Sequence, residues 1–226
     1  MGAKPSVSRA TEIWRENDVL YISGPLTEGN SILVGSFFKG KNRETIPRIV
    51  DLNSIGGNMN ESIEIALIMA SHDLAVRVAF GNLCYSAGFL LLAMASRRAI
   101  DLPMRVGVHR VKAPPGLDGR ALNANAENLY RNIGISERII SKMMSTREDD
   151  IKLLGQDDFA EIQPTQFNNL TRRSIADRYI MRHRLDSEPA EDSLDIYRKR
   201  SALLREMPVP GSQEFWRWFD TPPARS

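Results

Sequence analysis

Apolar residues fall along this chain in short runs parted by polar or glycine-containing breaks, and the runs differ in period. DVLYISGP, from Asp18, is a β-rich run closed by Gly-Pro; TIPRIVDLNS is a second that ends in polar residues; AVRVAF is a third, bounded by Gly81. Runs of this length, rich in β-branched and aromatic residues, predict strands. Between them lie LTEGNSILVGSFFKG and NMNESIEIALIMASH, and in the latter Ile63, Leu67 and Ala70 fall at helical spacing, which predicts a helix. Strands alternating with helices of this size predict βαβ units, an α/β fold and a mostly parallel sheet.

Further on, a helix is predicted from Ala87 to Ser96, followed by two short strands, RAIDL and RVGVH, split by Pro103. VKAPPGLDGR reads as a loop on its proline and glycine content. From Ala121 to about Met144 a long helical pattern follows, with Leu129, Ile133, Ile139, Ile140 and Met143 on one face, and the segment could project from the sheet. Beyond Thr171 charge becomes dense, with helices predicted at 175–185 and 193–206 and a Pro/Gly break before Trp216, Trp218 and Phe219. That aromatic tail either packs back on its own domain or forms a subunit or partner contact. No internal repeat or low-complexity tract interrupts the chain.

The chain has 226 residues, 42% of them hydrophobic and 26% charged, as for one globular domain with an appendage. The expected division is an N-terminal segment (1–17), a main domain (18–170) and a helical C-terminal extension (171–226). Thirty basic and 28 acidic side chains leave a net charge of +2, and no basic run is interleaved with aromatics, so nucleic acid is not an expected partner. Cys84 is the sole cysteine, which excludes a disulfide framework or a cysteine-rich zinc site and fits a reducing compartment. MGAKPSVSRATEIW lacks the apolar stretch of a secretory signal, and no run is long enough to cross a bilayer. The expectation is a cytoplasmic protein without a membrane partner.

Three short motifs carry candidate chemistry. In DLNSIGGNMNES a strand ends in paired glycines before a helix; such a pair is usually a turn, but it can also turn backbone N–H groups toward an anion or a polarised carbonyl. In GNLCYSAGFLLLA, Ser86 stands at the mouth of an oily helix. An isolated serine there is most simply an N-cap. Against that, Ala87 and Gly88 are small enough to expose its hydroxyl, and the helix end offers free N–H groups to developing negative charge. In LPMRVGVHRV, His109 ends a strand. A lone histidine is commonly a bystander, as His72 and His183 are read, but a serine hydroxyl needs a base within reach and imidazole is the usual one.

Taken in order, LNSIGG, GNLCYSAGFLL, LPMRVGVHR and a long helical insertion resemble the Clp protease proteolytic subunit (ClpP) family, within the wider ClpP/crotonase fold, from about Val19 to Gln163. The chain is also similar to bacterial ClpP-like proteins with a Cys-Ala-Ser-Ala elbow and a Gly-x-His-Arg strand, and the elbow spacing resembles signal peptide peptidase A. Two departures stand out: Ile55 replaces the proline of the Ser-Pro-Gly-Gly turn, and an ungapped alignment from Gly81 puts Tyr85 at the nucleophile position, which a one-residue shift gives back to Ser86.

The resemblance implies a repeated ββα superhelix with a helical handle at 111–144, through which rings of subunits would pair, and the extension lies outside it. It implies Ser86 as nucleophile, His109 as general base, and an oxyanion hole from the N–H groups of Gly57, with Gly56 beside it, and Ala87. The acid that orients the histidine is Asp150 or Asp149 in one register and Asp157 or Asp158 in another, with Asp150 favoured because its register keeps the flanking helix intact. The implied activity is cofactor-free hydrolysis of peptides or unfolded proteins by an oligomeric serine peptidase. No Walker-type loop is present, so ATP-driven unfolding would need a partner such as an AAA+ unfoldase. The other readings are a catalytically inactive ClpP-like scaffold or ring partner and, less well supported, a crotonase-like acyl-CoA enzyme.

Overall fold

A computed structural model describes residues 10–41, 45–79, 81–95, 97–100, 105–162 and 213–221, together with isolated positions between 176 and 208. The three predicted strands are present: β2 (Val19–Ser23), β3 (Ile49–Asn53) and β4 (Ala75–Val78) lie side by side and parallel. β6 (Arg97–Ile100) continues the parallel set next to β4. The other edge is a strand the sequence did not suggest: β1 (Glu12–Glu16), within the expected N-terminal segment, pairs antiparallel with β2 across a turn at Asn17. β5 (Cys84–Tyr85), β7 (Val106–Val108) and β8 (Lys152–Leu153) form a smaller sheet, parallel between β5 and β7 and antiparallel between β7 and β8. The fold is therefore α/β with two mixed sheets, the larger one parallel except at its β1 edge.

The helices are α1 (Asn30–Ser36), α2 (Met59–Ser71), α3 (Ala87–Met94), α4 (Gly119–Asn132), α5 (Glu137–Ser145), α6 (Gln156–Glu161) and α7 (Gln213–Asp220). Seven of the eight residues of α3 are buried, the expected fate of a helix apolar all round. The predicted helix α2 buries Ser62, Ile65, Ala66 and Met69, while of the three residues at helical spacing Ile63 packs against the core, Leu67 is 56% exposed and Ala70 is exposed. Its inward stripe includes small and polar residues because α2 packs closely on α1 and α3.

The predicted long helix after Ala121 is two helices. Gly134, at φ 83°, breaks the chain, and Ser136 restarts it by accepting from the Ile139 N–H. The pair packs on the main core: Tyr130 stacks on Phe89 with ring centres 5.7 Å apart, and Ile139, Ile140 and Met143 are buried beside it. In the C-terminal extension, Ala176, Tyr179, Ile180, Leu203, Met207 and Phe219 form a small core of their own. Trp218 stacks on Tyr179 at 4.4 Å and the Tyr179 hydroxyl donates to Thr221 O, so this part of the tail packs back on the extension. The Trp216 side chain and most of the helices predicted at 175–185 and 193–206 lie outside the described residues.

A buried polar cluster fixes the loop that enters β5. Arg77 Nε donates to Asp51 Oδ2 at 2.8 Å, both side chains being 1% exposed, while Asn82 Nδ2 donates to Asp51 Oδ1 at 2.7 Å. Asp51 thus joins β3, β4 and the approach to Ser86. Removing one partner of a buried charge pair leaves the other desolvated. Asp51→Ala is expected to lower unfolding free energy by about 3–5 kcal/mol, read from the urea midpoint at unchanged m-value.

Candidate functional site

β3, β5 and β7 run parallel, joined by the Ser54–Cys84 bridge and the β5–β7 pairing, so the segments leaving their carboxyl ends emerge together. Those segments are the glycine pair, Ser86 and His109. In open α/β sheets this is where ligands are bound. Gly57, Ser86, Ala87 and His109 line one cavity of about 610 Å³, which Ile55, Met59, Leu122, Tyr130 and Met143 make largely apolar.

Ser86 joins β5 directly to α3 at φ 54° and ψ −125°. This is the geometry of the first central residue of a type II′ turn, a glycine position; a side-chain-bearing residue held there costs about 1–3 kcal/mol. The strain is enforced on both sides: Ser86 N–H donates to Gly107 O at 3.0 Å and Phe89 N–H to Ser86 O at 2.9 Å. The Ser86 side chain makes no capping hydrogen bond, so the N-cap reading fails. Tyr85 lies in β5 opposite Gly107, one residue before the elbow.

Gly56 and Gly57 play different parts. The Gly56 N–H already donates to Ser54 Oγ at 3.1 Å, so among the expected hole residues Gly56 offers no free donor. Its contribution is space: a Cβ there would come 2.6 Å from Ser86 Cβ, 2.8 Å from Tyr85 O and 2.9 Å from Ala87 N. Gly57 is bracketed by Leu26, which accepts from Asn58 N–H at 2.8 Å and donates to Gly56 O at 2.8 Å. With both flanking peptide groups bonded to one side, the Gly57 N–H faces the other. Ala87, the first residue of α3, has no intrahelical acceptor for its N–H. Two backbone donors therefore stand on either side of the Ser86–Gly56 contact.

His109 follows β7, and the loop beyond it is pinned to α4 by Asn123, which bonds Val111 N–H and O at 2.7 and 3.1 Å. Burial pushes the imidazole pKa below its ordinary 6.5, outweighing the pull of the Arg110 backbone and of the Asp149 and Glu148 carboxylates. Burial therefore favours the neutral imidazole over the imidazolium. Its Nδ1 is buried with no hydrogen-bond partner among the described residues.

The candidate acids divide by place. Asp158 is fully buried; burial raises its pKa, but Lys142 at 2.6 and 2.7 Å, the Gly155 N–H at 2.7 Å and Arg138 outweigh this and hold it low. Asp157 is exposed and faces Arg138 at 3.4 Å. Both tie α6 to α5 and neither lines the cavity. Asp149 is exposed and paired with Lys112 at 2.8 Å, which lowers its pKa. Asp150 is exposed and off the cavity wall. Glu148, which no sequence motif marks, is on the wall, 3.9 Å from Arg110.

Among the described residues no group of His, Cys, Asp and Glu side chains could hold a metal ion, and no helix is long and apolar enough to cross a membrane. No protein-family model and no curated protein matches the chain.

Proposed function

We propose that the chain is an α/β serine hydrolase, and the observation that carries this is Ser86 held in a strained strand-to-helix elbow with its hydroxyl off capping duty. More particularly, we infer a ClpP-like peptidase of the ClpP/crotonase fold. The order oxyanion turn, elbow, histidine strand and helical pair supports this assignment, and the α4–α5 pair is then the handle. Ser86 Oγ attacks the scissile carbonyl carbon while His109 takes its proton. The tetrahedral oxyanion accepts from Gly57 and Ala87 N–H, each donor being worth about 3 kcal/mol to the transition state. Collapse expels the amine, protonated by His109, and leaves an acyl-enzyme that water hydrolyses by the same route. The largely apolar cavity fits a peptide with an apolar side chain next to the cleaved bond. Cytoplasmic action on peptides or unfolded proteins, assembly into rings and feeding by an AAA+ unfoldase belong to this proposal.

The test is reaction with a fluorophosphonate followed by peptide mass mapping. A single phosphonyl adduct on Ser86 is the expected result, and no adduct under conditions that label a control serine hydrolase overturns the reading. The inactive-scaffold alternative rests on the buried, unpartnered Nδ1 of His109, since a triad needs an acid there.

In the 148–150 turn the family register favours Asp150 as that acid and the cavity wall holds Glu148, although neither carboxylate bonds His109 Nδ1. Because the folded His109 pKa is depressed, kcat/KM should stay high as pH falls through 6.5 and decline only below it. The histidine also contributes stability at higher pH that is lost as pH falls through its folded pKa, since the unfolded chain then binds more protons. Asp150→Asn and Glu148→Gln, profiled side by side, identify the orienting acid as the one that lowers kcat by about 10²-fold or more and shifts the acid limb.

A further inference from the structure

The first turn of α2 reaches both walls of the candidate site through consecutive buried side chains. Glu61, 9% exposed, accepts from Gly29 N–H at 2.9 Å and from Ser31 N–H at 2.7 Å, so its carboxylate caps the start of α1 from another helix. The preceding arm is tied into that start, with Thr27 N–H donating to Asn30 Oδ1 at 2.9 Å. The arm carries Leu26, whose two backbone bonds hold the Gly56–Asn58 turn. Ser62, fully buried, donates from Oγ to Ala87 O at 2.6 Å, on the opposite wall. α2 itself begins on the turn, since Asn58 Oδ1 accepts from Asn60 and Glu61 N–H at 2.9 and 3.4 Å.

Gly29 lies at φ 88° just before α1, and its N–H and that of Ser31 would otherwise be orphaned donors of a helix start. The capping group here is on α2, and an exposed serine or aspartate at position 29 would have served α1 more simply. A long-range ionised cap makes the position of the Leu26 arm depend on α2, and α2 is the element whose N-terminus is the glycine turn.

We propose that Glu61 and Ser62 are positioning residues for the oxyanion hole: Glu61 sets the Gly57 N–H through the Leu26 arm, and Ser62 sets the Ala87 N–H. The inference rests on the serine-hydrolase reading of the site. Neither side chain touches substrate. Their contribution is confined to the stage at which negative charge develops on the carbonyl oxygen, so it appears in kcat with KM nearly unchanged.

The experiment compares the full chain with Glu61→Gln, Ser62→Ala and, as a control, Glu64→Gln; among the described residues Glu64 accepts from the Ser31 hydroxyl, at 2.6 Å, and from no backbone group of the arm. Three readouts are taken: fluorophosphonate labelling rate and peptide turnover, inhibition by a peptide aldehyde that forms a tetrahedral oxyanion, and amide hydrogen exchange. Glu61→Gln and Ser62→Ala are expected to lower kcat about 10-fold to 100-fold at constant KM. The aldehyde Ki should rise by the same factor, with Glu64→Gln within about twofold of wild type. Faster exchange at Leu26 and Asn58 in Glu61→Gln, without a change in the most protected core amides, is also expected. Unchanged exchange there, or an aldehyde Ki that does not follow kcat, overturns the positioning role. A wild type that never labels overturns the hydrolase reading and with it any catalytic purpose for the clamp, even if the exchange result stands.

Discussion

Ser86→Ala should abolish fluorophosphonate labelling and lower peptide turnover by about 10⁴-fold or more, leaving only what the hole and substrate binding supply. Ser86→Gly adds a sharper test, because it acts in opposite directions on activity and stability. The wild-type residue sits at φ 54° and ψ −125°, where glycine is at ease and a side chain costs about 1–3 kcal/mol. Glycine gives back about 0.4–1 kcal/mol through its freer unfolded chain. The variant should therefore be inactive and about 1 kcal/mol more stable in urea unfolding, while Ser86→Ala keeps the strain and gains nothing. A scaffold that used Ser86 only to shape a turn would lose no function in Ser86→Gly. Turnover retained in either variant would exclude Ser86 as nucleophile and reopen the register in which Tyr85 takes its place.

The order of the three motifs was legible in the sequence because each marks the end of a strand, and parallel strands bring their carboxyl ends to one edge. The elbow was legible as a place, though its conformation was not. Nothing in CYSAG announces that Ser86 N–H bonds Gly107, 21 residues away, and that long-range bond helps to hold the positive φ. The acid was ambiguous for a related reason: a run of four aspartates and a glutamate has no period, and only the packing of α5 on α6 shows that Asp158 belongs to Lys142. Edge strand β1 escaped notice since EIWRE is as polar as a loop, although its alternation, with Glu12, Trp14 and Glu16 exposed, suits a sheet edge. The inward face of α2 was not legible because close helix packing favours Ser62 and Ala66 over Leu67. Glu61, which caps a helix 30 residues upstream, leaves no local signature.

Gly56→Ala and Gly81→Ala, compared directly, separate backbone strain from the geometry of the candidate hole. Both glycines have a positive φ, 91° and 84°, so the backbone strain of an alanine should cost about 1–2 kcal/mol at either. Their surroundings differ. A Cβ at Gly81 meets nothing within 4 Å, whereas one at Gly56 comes within 3 Å of Ser86 Cβ, Tyr85 O and Ala87 N. Two of those three contacts are backbone atoms of the elbow, held by the β5–β7 pairing and by α3, so relief requires the elbow and the glycine turn to part. A displacement of about 1 Å is enough to cost roughly 10²-fold in rate, and loss of one hole donor costs 10²-fold to 10³-fold. Gly56→Ala should therefore reduce kcat by about 10³-fold and show the lower urea midpoint of the two, while Gly81→Ala stays within about threefold in kcat. Equal activity losses in the two variants would mean that strain alone is being read, and that Gly56 does not set the distance between Ser86 and its oxyanion donors.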